Sequence, residues 1–386
     1  MPYNPDWTSI MPRELDNYDW ETFLGRRYIE GDVAKFQAAN AGKTILLTGA
    51  GGSIGSALAM RIATSGPRLV LLLESSEQNL YQIHTDLNDL ARGTPRIPIL
   101  GDIADRPLMD AIFAQHRPEI VYHAAAFKHV PLMEANPLAA IRNNALGTYV
   151  LAKTVAQHAA EKLIVISTDK AVNPQSVMGV SKRVAELVLM ALTNEKTRMS
   201  SVRLGNVLGS RGSVGLLFLQ QISRGGPVTV THPEVRRYFL TLRETVGLVL
   251  TAASLDSCGG IWVPELGPPL KILDLAEHLI RNTGLTPGDD IPIAFIGLRA
   301  GDKMVEQLVS TRESREGRGI CGLHRVSGPQ LSRGDLETAI AELTESLRRR
   351  DLVALIRILC SIVPEYQPSA VLLELSNDSE IKTRQA

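Results

Sequence analysis

Cysteine is scarce in this chain of 386 residues, which contains only Cys258, Cys321 and Cys360. The three are far apart and odd in number, and their spacing is not that of metal ligands. The sequence therefore predicts neither a disulfide framework nor a metal site, and we expect a reducing, cytoplasmic compartment.

The chain also lacks an excess of charge and long hydrophobic runs. Its 41 basic and 41 acidic residues balance, so no surface for nucleic acid or for an anionic membrane is expected. No apolar run approaches about 18 residues, and the N-terminus has no signal-peptide pattern. We therefore expect a soluble intracellular protein without a membrane segment, in which local groups bind any anionic ligand.

What the sequence does contain is a glycine-rich segment between a short apolar strand and a helix. The segment T-G-A-G-G-S-I-G spans 48–55, and Gly49, Gly52 and Gly55 recur every three residues. A strand, a glycine turn and a helix N-terminus, which here begins with Ser53 and Ile54, hold a pyrophosphate on backbone N–H groups. The context favours a dinucleotide, although a tight turn alone accounts for such a triplet about as often.

An acidic residue closes the second predicted strand, 69–73. Glu74 follows Gly55 by 19 residues, which is where a carboxylate hydrogen-bonds a ribose 2′-hydroxyl and repels a 2′-phosphate. The sequence therefore favours NAD over NADP. The alternative is that Glu74 is a solvated strand end.

The third and fourth predicted strands end in residues suited to the adenine edge or to a close approach of the dinucleotide. These residues are Asp102, Ile103, His123, Ala124 and Ala125. Because strands and helical segments alternate throughout this half, we predict an α/β fold with a Rossmann-type, doubly wound parallel sheet.

The regular alternation is lost in the second half. We predict four parts: an N-terminal arm at 1–41, the NAD-binding domain with the catalytic segment at 42–204, mainly a smaller mixed α/β substrate-binding lobe with some sheet-completing elements at 205–330, and a C-terminal helical extension and tail at 331–386. Trp7 and Trp20, in the arm, are expected to pack on the body or on a second subunit.

Several polar residues are candidate substrate contacts. Lys128 and His129 either bind substrate or lie in a solvated loop. Each arginine alone is as readily explained by an ion pair, but the set follows a dinucleotide domain and predicts diphosphate binding. The full set of candidates is Lys128, His129, Arg203, Asn206, Arg237 and Arg299.

The segment S-T-D-K-A-V-N-P-Q-S-V-M-G-V-S-K, 167–182, concentrates reactive side chains. It lies between a predicted buried strand and a predicted helix, where open parallel sheets place their chemistry. A hydroxyl, a carboxylate and an ammonium follow one another at Thr168, Asp169 and Lys170, and Lys182 follows in the helix. This segment is the predicted catalytic centre.

Together the motifs resemble the extended short-chain dehydrogenase/reductases, and within them the nucleotide-sugar 4,6-dehydratases of capsular polysaccharide biosynthesis. The resemblance spans about 20–365 and rests on T-G-A-G-G-S-I-G-S at 48–56, H-A-A-A-F-K-H-V-P-L-M-E at 123–134, S-T-D-K-A-V-N-P at 167–174, V-M-G-V-S-K-R at 177–183, R-L-G-N-V-L-G-S-R-G-S-V at 203–214, P-V-T-V-T-H-P at 227–233 and G-L-R-A-G-D-K at 297–303. It implies an NAD-dependent enzyme that dehydrates UDP-N-acetylglucosamine and forms a dimer or higher homo-oligomer.

The resemblance also implies the roles of the catalytic residues. Asp169 would be the general acid and Lys170 the general base, with Thr168 hydrogen-bonding the C4 oxygen. An adjacent ammonium lowers a carboxylate's pKa, so burial would have to raise that of Asp169 again. Lys182 would bind the nicotinamide ribose.

Met178 departs from the wider superfamily, in which a tyrosine at this position takes the proton during alcohol oxidation. The large dehydratases of the resembled group also carry methionine here, and in that subgroup the C5 configuration is retained, so we expect retention. Whether Asp169, or Lys182 through Thr168 or a water, takes the C4 proton stays open.

Two other functions compete with dehydration. A nucleotide-sugar 4-epimerase would share the cofactor and substrate but would lack the acid–base pair. A catalytically silent UDP-sugar-binding protein is favoured only by Met178. Two helical segments, 137–159 and 180–192, are candidates for pairing with a second subunit, or they cover the sheet.

Overall fold

The computed structural model describes residues 18–91, 93–255 and 259–385. Trp7 and Cys258 lie outside these residues. Short apolar runs followed by glycine or polar residues form central strands of one large sheet, and other strands form smaller sheets. The strands are β1 Thr44–Thr48, β2 Leu69–Glu74, β3 Arg96–Leu100, β4 Ile120–His123, β5 Lys162–Thr168, β6 Arg198–Leu204, β7 Asn206–Val207, β8 Val228–Val230, β9 Arg236–Arg237, β10 Phe239–Leu240, β11 Gly260–Pro264, β12 Leu270–Lys271, β13 Ile293–Phe295, β14 Ser314–Ile320 and β15 Leu323–Ser327.

Helices connect and cover these strands. They are α1 Trp20–Leu24, α2 Val33–Asn40, α3 Ser53–Ala63, α4 Glu77–Leu90, α5 Arg106–His116, α6 Val130–Ala135, α7 Pro137–Ala140, α8 Gly147–Gln157, α9 Val177–Leu192, α10 Val214–Ile222, α11 Leu242–Ser254, α12 Ile272–Asn282, α13 Arg333–Arg349, α14 Leu352–Ile362 and α15 Ala370–Gln385. A π-helical turn, Ile141–Leu146, and a 3₁₀ turn, Asp169–Ala171, complete the regular elements.

The nine strands of the main sheet run in the order β14-β15-β11-β6-β5-β4-β1-β2-β3. Neighbours from β3 to β11 are parallel, whereas β15 is antiparallel to both β11 and β14. The strand order reverses between β1 and β4, so a crevice is expected at their carboxyl ends. This topology confirms the predicted doubly wound α/β fold.

The central strands of this sheet are covered on both faces, and β1 and β2 are accordingly apolar along most of their length. In β1, Leu46 belongs to one buried hydrophobic cluster, and Ile45 and Leu47 belong to the other. The two clusters fix the sheet between two helical layers, and the polar ends of the strands remain at its edge.

The segment 205–330 contributes to two parts of the molecule. Its strands β11, β14 and β15 extend the main sheet, while β7–β10, β9–β12 and β8–β13 form three small two-stranded sheets. Strands of the main sheet thus lie on both sides of residue 205. The second-half segment completes that sheet and also forms small sheets of its own.

Trp20 is 3% exposed and packs on the body of the same chain. Its ring centroid lies 5.5 Å from that of Tyr18, 6.0 Å from that of Phe23 and 6.0 Å from that of His278 in α12. The arm is thus anchored on the second-half lobe from Tyr18 onward.

The C-terminal helices α13 and α14 cover the outer side of α9. Leu343 and Leu359 are fully buried in the same hydrophobic cluster as Val184 and Val188, and α13 contacts both α9 and the π-helical turn. The face of α9 that could have paired with a second subunit is therefore buried by its own chain.

Within residues 18–91, 93–255 and 259–385, no helix combines the length and the apolar character needed to cross a bilayer.

Candidate active site

The turn between β1 and α3 is packed so closely that two of its glycines have no room for a side chain. Gly49 has a φ of +65°, and a Cβ there would lie 2.6 Å from the backbone nitrogen of Ala125. A Cβ on Gly55 would lie 1.9 Å from the carbonyl oxygen of Gly49. Gly52 is the N-cap of α3 and supplies no side-chain cap. An uncapped helix N-terminus beside two tightly packed glycines fits the pyrophosphate of a dinucleotide.

Glu74 lies at the end of β2 and stabilises this turn by hydrogen bonds. Its Oε2 accepts a hydrogen bond from the N–H of Gly51 at 3.0 Å, and its Oε1 accepts from the N–H groups of Ser75 and Ser76 at 3.0 and 3.1 Å. A carboxylate offers about four acceptor positions, and three are used within the chain. The predicted ribose contact stays a prediction, and holding the turn is a second role.

The imidazole of His123 lies in the interior at the end of β4. Its Nδ1 is 2.6 Å from the Thr48 hydroxyl oxygen, and its Nε2 is 3.0 Å from that of Thr148. Burial lowers the pKa of His123 to about 3, and the charge of Lys182 acts in the same direction. The ring is therefore neutral with both nitrogens partnered, so a cofactor contact would have to come from its backbone.

Asp102 and Ile103 shape the turn after β3. The Oδ1 of Asp102 accepts from the N–H of Ala104 at 2.9 Å, and its Oδ2 pairs with the guanidinium of Arg142 at 3.1 Å. Ile103 is 3% exposed and packs so closely on Gly147 that a Cβ there would lie 2.8 Å from its Cδ1. Their predicted adenine contacts stay predictions.

The π-helical turn fixes the loop that follows β4. Asn144 accepts from the N–H of Phe127 at 2.8 Å and donates to its carbonyl oxygen at 2.9 Å. It also donates to the Ser181 hydroxyl in α9 at 3.0 Å. One buried amide thus holds the loop that carries Lys128 against the helix that carries Lys182.

The carboxyl end of β5 brings the predicted catalytic groups into contact. Asp169 is fully buried, and its Oδ1 accepts from the Thr168 hydroxyl at 2.9 Å and from the Lys170 ammonium at 3.0 Å. Its Oδ2 is buried with no hydrogen-bond partner among the described residues. Lys170 also donates to the Oδ1 of Asn206 at 3.2 Å. Asn206, predicted as a substrate contact, is therefore also a partner of Lys170.

Sequence reasoning missed a second carboxylate beside Lys170. Glu306 is 2% exposed, and its Oε1 lies 3.7 Å from the Lys170 Nζ. The Nζ of Lys303 lies 3.2 Å from its Oε2, and the Nε of Arg237 lies 3.9 Å from its Oε1. Lys303 also donates to the carbonyl oxygen of Val172 at 2.6 Å. Lys303 is the last residue of the G-L-R-A-G-D-K motif, and this motif is the sequence feature that could have pointed to the segment. Glu306 lies just beyond the motif.

The two carboxylates of this cluster have pKa values displaced in opposite directions. Burial raises the pKa of Asp169, and the charge of Glu306 adds to this, against the lowering effect of Lys170. Burial also acts to raise the pKa of Glu306, but the surrounding cations lower it overall. Burial acts to lower the pKa of Lys170, but the two carboxylates raise it overall. Asp169 is therefore suited to carry a proton, and Glu306 to remain ionised.

Helix α9 begins at Val177, earlier than the predicted helical segment 180–192. Met178 is 4% exposed and belongs to the hydrophobic cluster under the sheet. Lys182 follows one turn later and is also buried, and this burial lowers its pKa to about 8. Of the two, only the lysine can exchange a proton.

Arg203 does not face a substrate, and its predicted part in diphosphate binding is wrong. It is fully buried, and its Nη2 lies 2.8 Å from Glu186 Oε2 and 2.7 Å from Glu313 Oε1. Two internal carboxylates thus take the place that a diphosphate was expected to fill.

The other two arginines differ from Arg203. Arg237 is 6% exposed and lies beside Glu306 in the catalytic cluster. Arg299 is more exposed and pairs with Asp302 at 2.8 Å, on the wall of a cleft that also includes Gln175. Substrate binding by Arg237 and Arg299 stays a prediction.

Lys128 and His129 both contact the segment after β7. The Lys128 ammonium donates to the carbonyl oxygen of Arg211 at 2.7 Å. Gly212 lies against His129, since a Cβ on that glycine would be 2.7 Å from the ring Cε1. These residues hold the segment 209–213 close to the loop after β4.

Arg211 links this same segment to the glycine-rich turn. Its N–H donates to the Ser53 hydroxyl at 2.9 Å, and its guanidinium donates to the carbonyl oxygen of Gly51 at 3.1 Å and to Asn79 at 2.9 Å. The second-half lobe therefore closes over the first turn of α3, a contact that no sequence motif had indicated.

A family model described as "Polysaccharide biosynthesis protein" matches residues 45–326. The chain is 46% identical over 302 residues to the capsular polysaccharide biosynthesis protein CapD of Staphylococcus aureus, a match that covers 78% of this chain and 50% of that protein. It therefore spans about half the length of that relative.

Two further comparisons cover more of the other chain. The UDP-glucose 4-epimerase of Rickettsia rickettsii (strain Sheila Smith) is 32% identical, over 74% of this chain and 82% of that protein. The X-ray structure of Pen from Bacillus thuringiensis has a TM-score of 0.66 and 26% identity, and covers 78% of this chain and 99% of that one. With the motifs and the doubly wound sheet, these matches show that the chain belongs to the polysaccharide biosynthesis protein family.

Proposed function

We propose that this chain is a nucleotide-sugar-modifying enzyme that removes water from UDP-N-acetylglucosamine to give a UDP-4-keto-6-deoxy sugar. The observation that carries the proposal is the pair of Asp169, which is fully buried, and Lys170, which is partly buried, sharing a hydrogen bond of 3.0 Å at the carboxyl end of β5. That edge of the sheet also carries the glycine-rich turn, so acid–base chemistry and a dinucleotide would meet there.

The turn of Gly49, Gly52 and Gly55 would hold the pyrophosphate of NAD, and Lys182 its nicotinamide ribose. When bound, NAD supplies the oxidising power, accepting a hydride from C4 of the sugar and returning it to C6. The C4 ketone makes the C5 proton acidic, which is what allows a lysine to remove it.

The chain's own residues would carry the proton steps. Lys170 takes the proton from C5, and Asp169 donates its proton to the hydroxyl that leaves C6. Thr168, which donates to Asp169 in the structure, would turn its hydroxyl to the C4 oxygen. The electrons of the C5–H bond form the C5–C6 double bond as the C6–O bond breaks.

For the C4 hydroxyl proton, the structure favours Lys182 over Asp169. With a pKa of about 8, about a tenth of Lys182 is neutral at pH 7 and able to accept a proton. Met178 has no such capacity. A route through the Thr168 hydroxyl or a water would connect the C4 oxygen to Lys182.

Epimerisation at C4 is the second candidate, because one relative is named a UDP-glucose 4-epimerase. Epimerisation requires oxidation and re-reduction at C4 alone. It gives no use to a buried carboxyl group with a raised pKa beside an ammonium, whereas loss of a hydroxide from C6 requires such an acid.

The wild-type protein, incubated with NAD and UDP-N-acetylglucosamine in deuterated water, is expected to give a product lacking one water and carrying deuterium at C5. Mass spectrometry measures the loss, and NMR of the product is expected to show a retained C5 configuration. A product of unchanged mass with inverted C4 would indicate the epimerase, and an unchanged substrate would overturn the proposal for this sugar.

Replacement of Arg211 by methionine is expected to weaken NAD binding by about tenfold, because the hydrogen bonds that hold the second-half lobe over the glycine-rich turn are lost. Fluorescence titration with NADH and the NAD retained after dialysis measure this. The exposed Arg224→Met variant is the matched control. Equal NAD affinity in Arg211→Met and wild type would show that the contact does not retain the cofactor.

A further inference from the structure

Glu306 has no part in the proton steps above, yet it is buried beside the lysine that performs one of them. Its Oε1 is 3.7 Å from the Lys170 Nζ, and Lys303 lies on its other side at 3.2 Å. Ionised carboxylates are rarely buried unless they are paired, and this one is surrounded by three cations of which one belongs to the proposed acid–base pair.

We propose that Glu306 is a positioning residue whose negative charge sets the pH range in which the Asp169–Lys170 pair acts. The inference rests on the proposed function, in which this pair supplies both the acid and the base.

A single proton on the pair is sufficient for both roles. With one proton, the pair is either an ammonium beside a carboxylate or an amine beside a carboxylic acid, and transfer along the 3.0 Å Nζ–Oδ1 hydrogen bond converts one into the other. The amine form is competent: Lys170 gains the proton from C5, and Asp169 gives its proton to the leaving hydroxyl. The pair then again holds one proton, as an ammonium beside a carboxylate.

The pH range of this one-proton state has two limits. At low pH the pair takes up a second proton and loses its base, and at high pH it loses its last proton and its acid. A fixed negative charge nearby makes each proton harder to remove, so Glu306 raises both limits. In agreement, its charge raises the pKa of Asp169 and also that of Lys170.

Other groups face the pair and modify this effect. Lys303 and Arg237 lie on the far side of Glu306 and partly neutralise its charge. Tyr238 is close enough to Asp169 that the carboxylate's charge contributes to raising the phenol pKa, after burial. Asn206 and Thr168 complete the surroundings without a charge.

The test is the pH dependence of kcat for Glu306→Gln, which removes the charge and keeps the shape. Both limbs of the profile are expected to move to lower pH by about one unit, as expected for a charge at this distance that is partly neutralised. Glu306→Asp, which keeps the charge, should restore the wild-type limbs. Glu119→Gln is the control, because Glu119 pairs with Lys43 at the opposite edge of the sheet.

A second variant keeps the inference testable if Glu306→Gln does not fold. Lys303→Met removes a cation beside Glu306, so its limbs should move to higher pH. The same shifts are expected without turnover in the carbon-13 NMR titration of the Asp169 carboxyl group, assigned with Asp169→Asn.

These readouts separate the inference from the proposed function. If the wild-type protein does not dehydrate the sugar, the proposed function is overturned. The midpoints of the NMR titration would still decide whether Glu306 controls the pH range of the Asp169–Lys170 pair. Dehydration by wild type with unmoved limbs and midpoints in folded Glu306→Gln would overturn the inference and leave the function standing.

Discussion

Replacement of Asp169 by asparagine is expected to reduce dehydration by about 10²–10⁴-fold, the usual contribution of a positioned acid. Asparagine has the same shape, and its amide oxygen can still accept from Thr168 and Lys170. The asparagine side chain has no acidic proton to donate to the departing C6 hydroxyl. Quenched-flow assays with mass spectrometry measure the rate, and NADH titration should show cofactor affinity within about twofold of wild type.

Stability should change in the opposite direction to activity. Because burial holds the pKa of Asp169 above its ordinary value, the folded chain binds this proton more strongly than the unfolded chain, whose carboxyl group is ionised at pH 7. The ionisable side chain thus costs stability above its unfolded pKa, and this cost grows until the pH passes its folded pKa. Asparagine lacks that cost, so the midpoint of thermal unfolding at pH 7 should equal or exceed that of wild type.

A matched substitution separates loss of the acid from loss of a carboxylate in general. Asp86→Asn, on α4, removes a carboxylate that accepts from the exposed Gln82 side chain, and it should leave both rate and stability unchanged. Near-normal dehydration by Asp169→Asn would show that another group protonates the leaving hydroxyl.

The sheet and its ligand-binding edge were predictable because they depend on local pattern. Apolar runs such as 44–47 and 69–73 are buried on both faces, and each is followed by glycine or a polar residue that ends the strand. Parallel strands place these ends together at one edge. The proximity of Thr168, Asp169 and Lys170 followed from their adjacency in sequence alone.

Glu306 was not predictable, because its environment is assembled from distant segments. Lys170 comes from the end of β5 and Arg237 from β9, and only folding brings them to Glu306. In the sequence a glutamate such as this one resembles a surface residue, because charge alone carries no information about burial.

The cover over α9 was also beyond the sequence pattern. An apolar helix face predicts that something packs on it, but the partner can be a second subunit or a later part of the same chain. Val184 and Val188 are fully buried within this chain, and α13, a later part of it, contacts α9.

Arg203 shows how a strand position changes the meaning of an arginine. It lies on β6, a strand predicted from its apolar residues. Its side chain is buried between the sheet and the helix α9 that covers it. A charge there requires internal partners. Glu186 and Glu313 provide them, each through two hydrogen bonds of 2.7–2.9 Å, and the carbonyl oxygen of Leu308 accepts a further one at 2.9 Å.

Arg203→Met is therefore expected to lower the free energy of unfolding by about 3–5 kcal/mol, because two buried carboxylates then share the single guanidinium of Arg183. For a chain of this size that corresponds to about 4–6 °C in the unfolding midpoint. Calorimetry measures the midpoint, and Arg348→Met, an arginine on the exposed side of α13, should change stability by less than about 0.5 kcal/mol.

The pH dependence identifies the cause of this loss. Arg203 and Arg183 outweigh the effect of burial and lower the pKa of Glu186 to about 2, against about 4.3 in the unfolded chain. The stability gained from this shift is present above about pH 4.3 and is lost as the pH falls toward about 2. The difference between wild type and Arg203→Met should therefore shrink over that interval.

A second substitution tests whether the uncompensated charge is what destabilises the variant. Adding Glu186→Gln to Arg203→Met removes one of the two carboxylates that would share Arg183 and should recover part of the lost stability. Glu186→Gln alone should destabilise the wild type. The Glu186 carboxylate also accepts from the Ser167 hydroxyl at 2.7 Å, directly before Thr168, and lies one turn after Lys182 on α9. Loss of Arg203 should thus also slow turnover, because the same carboxylate connects the end of β5 to the helix that carries Lys182. Additive effects of the two substitutions on stability would show that Arg203 and Glu186 are not coupled in this way.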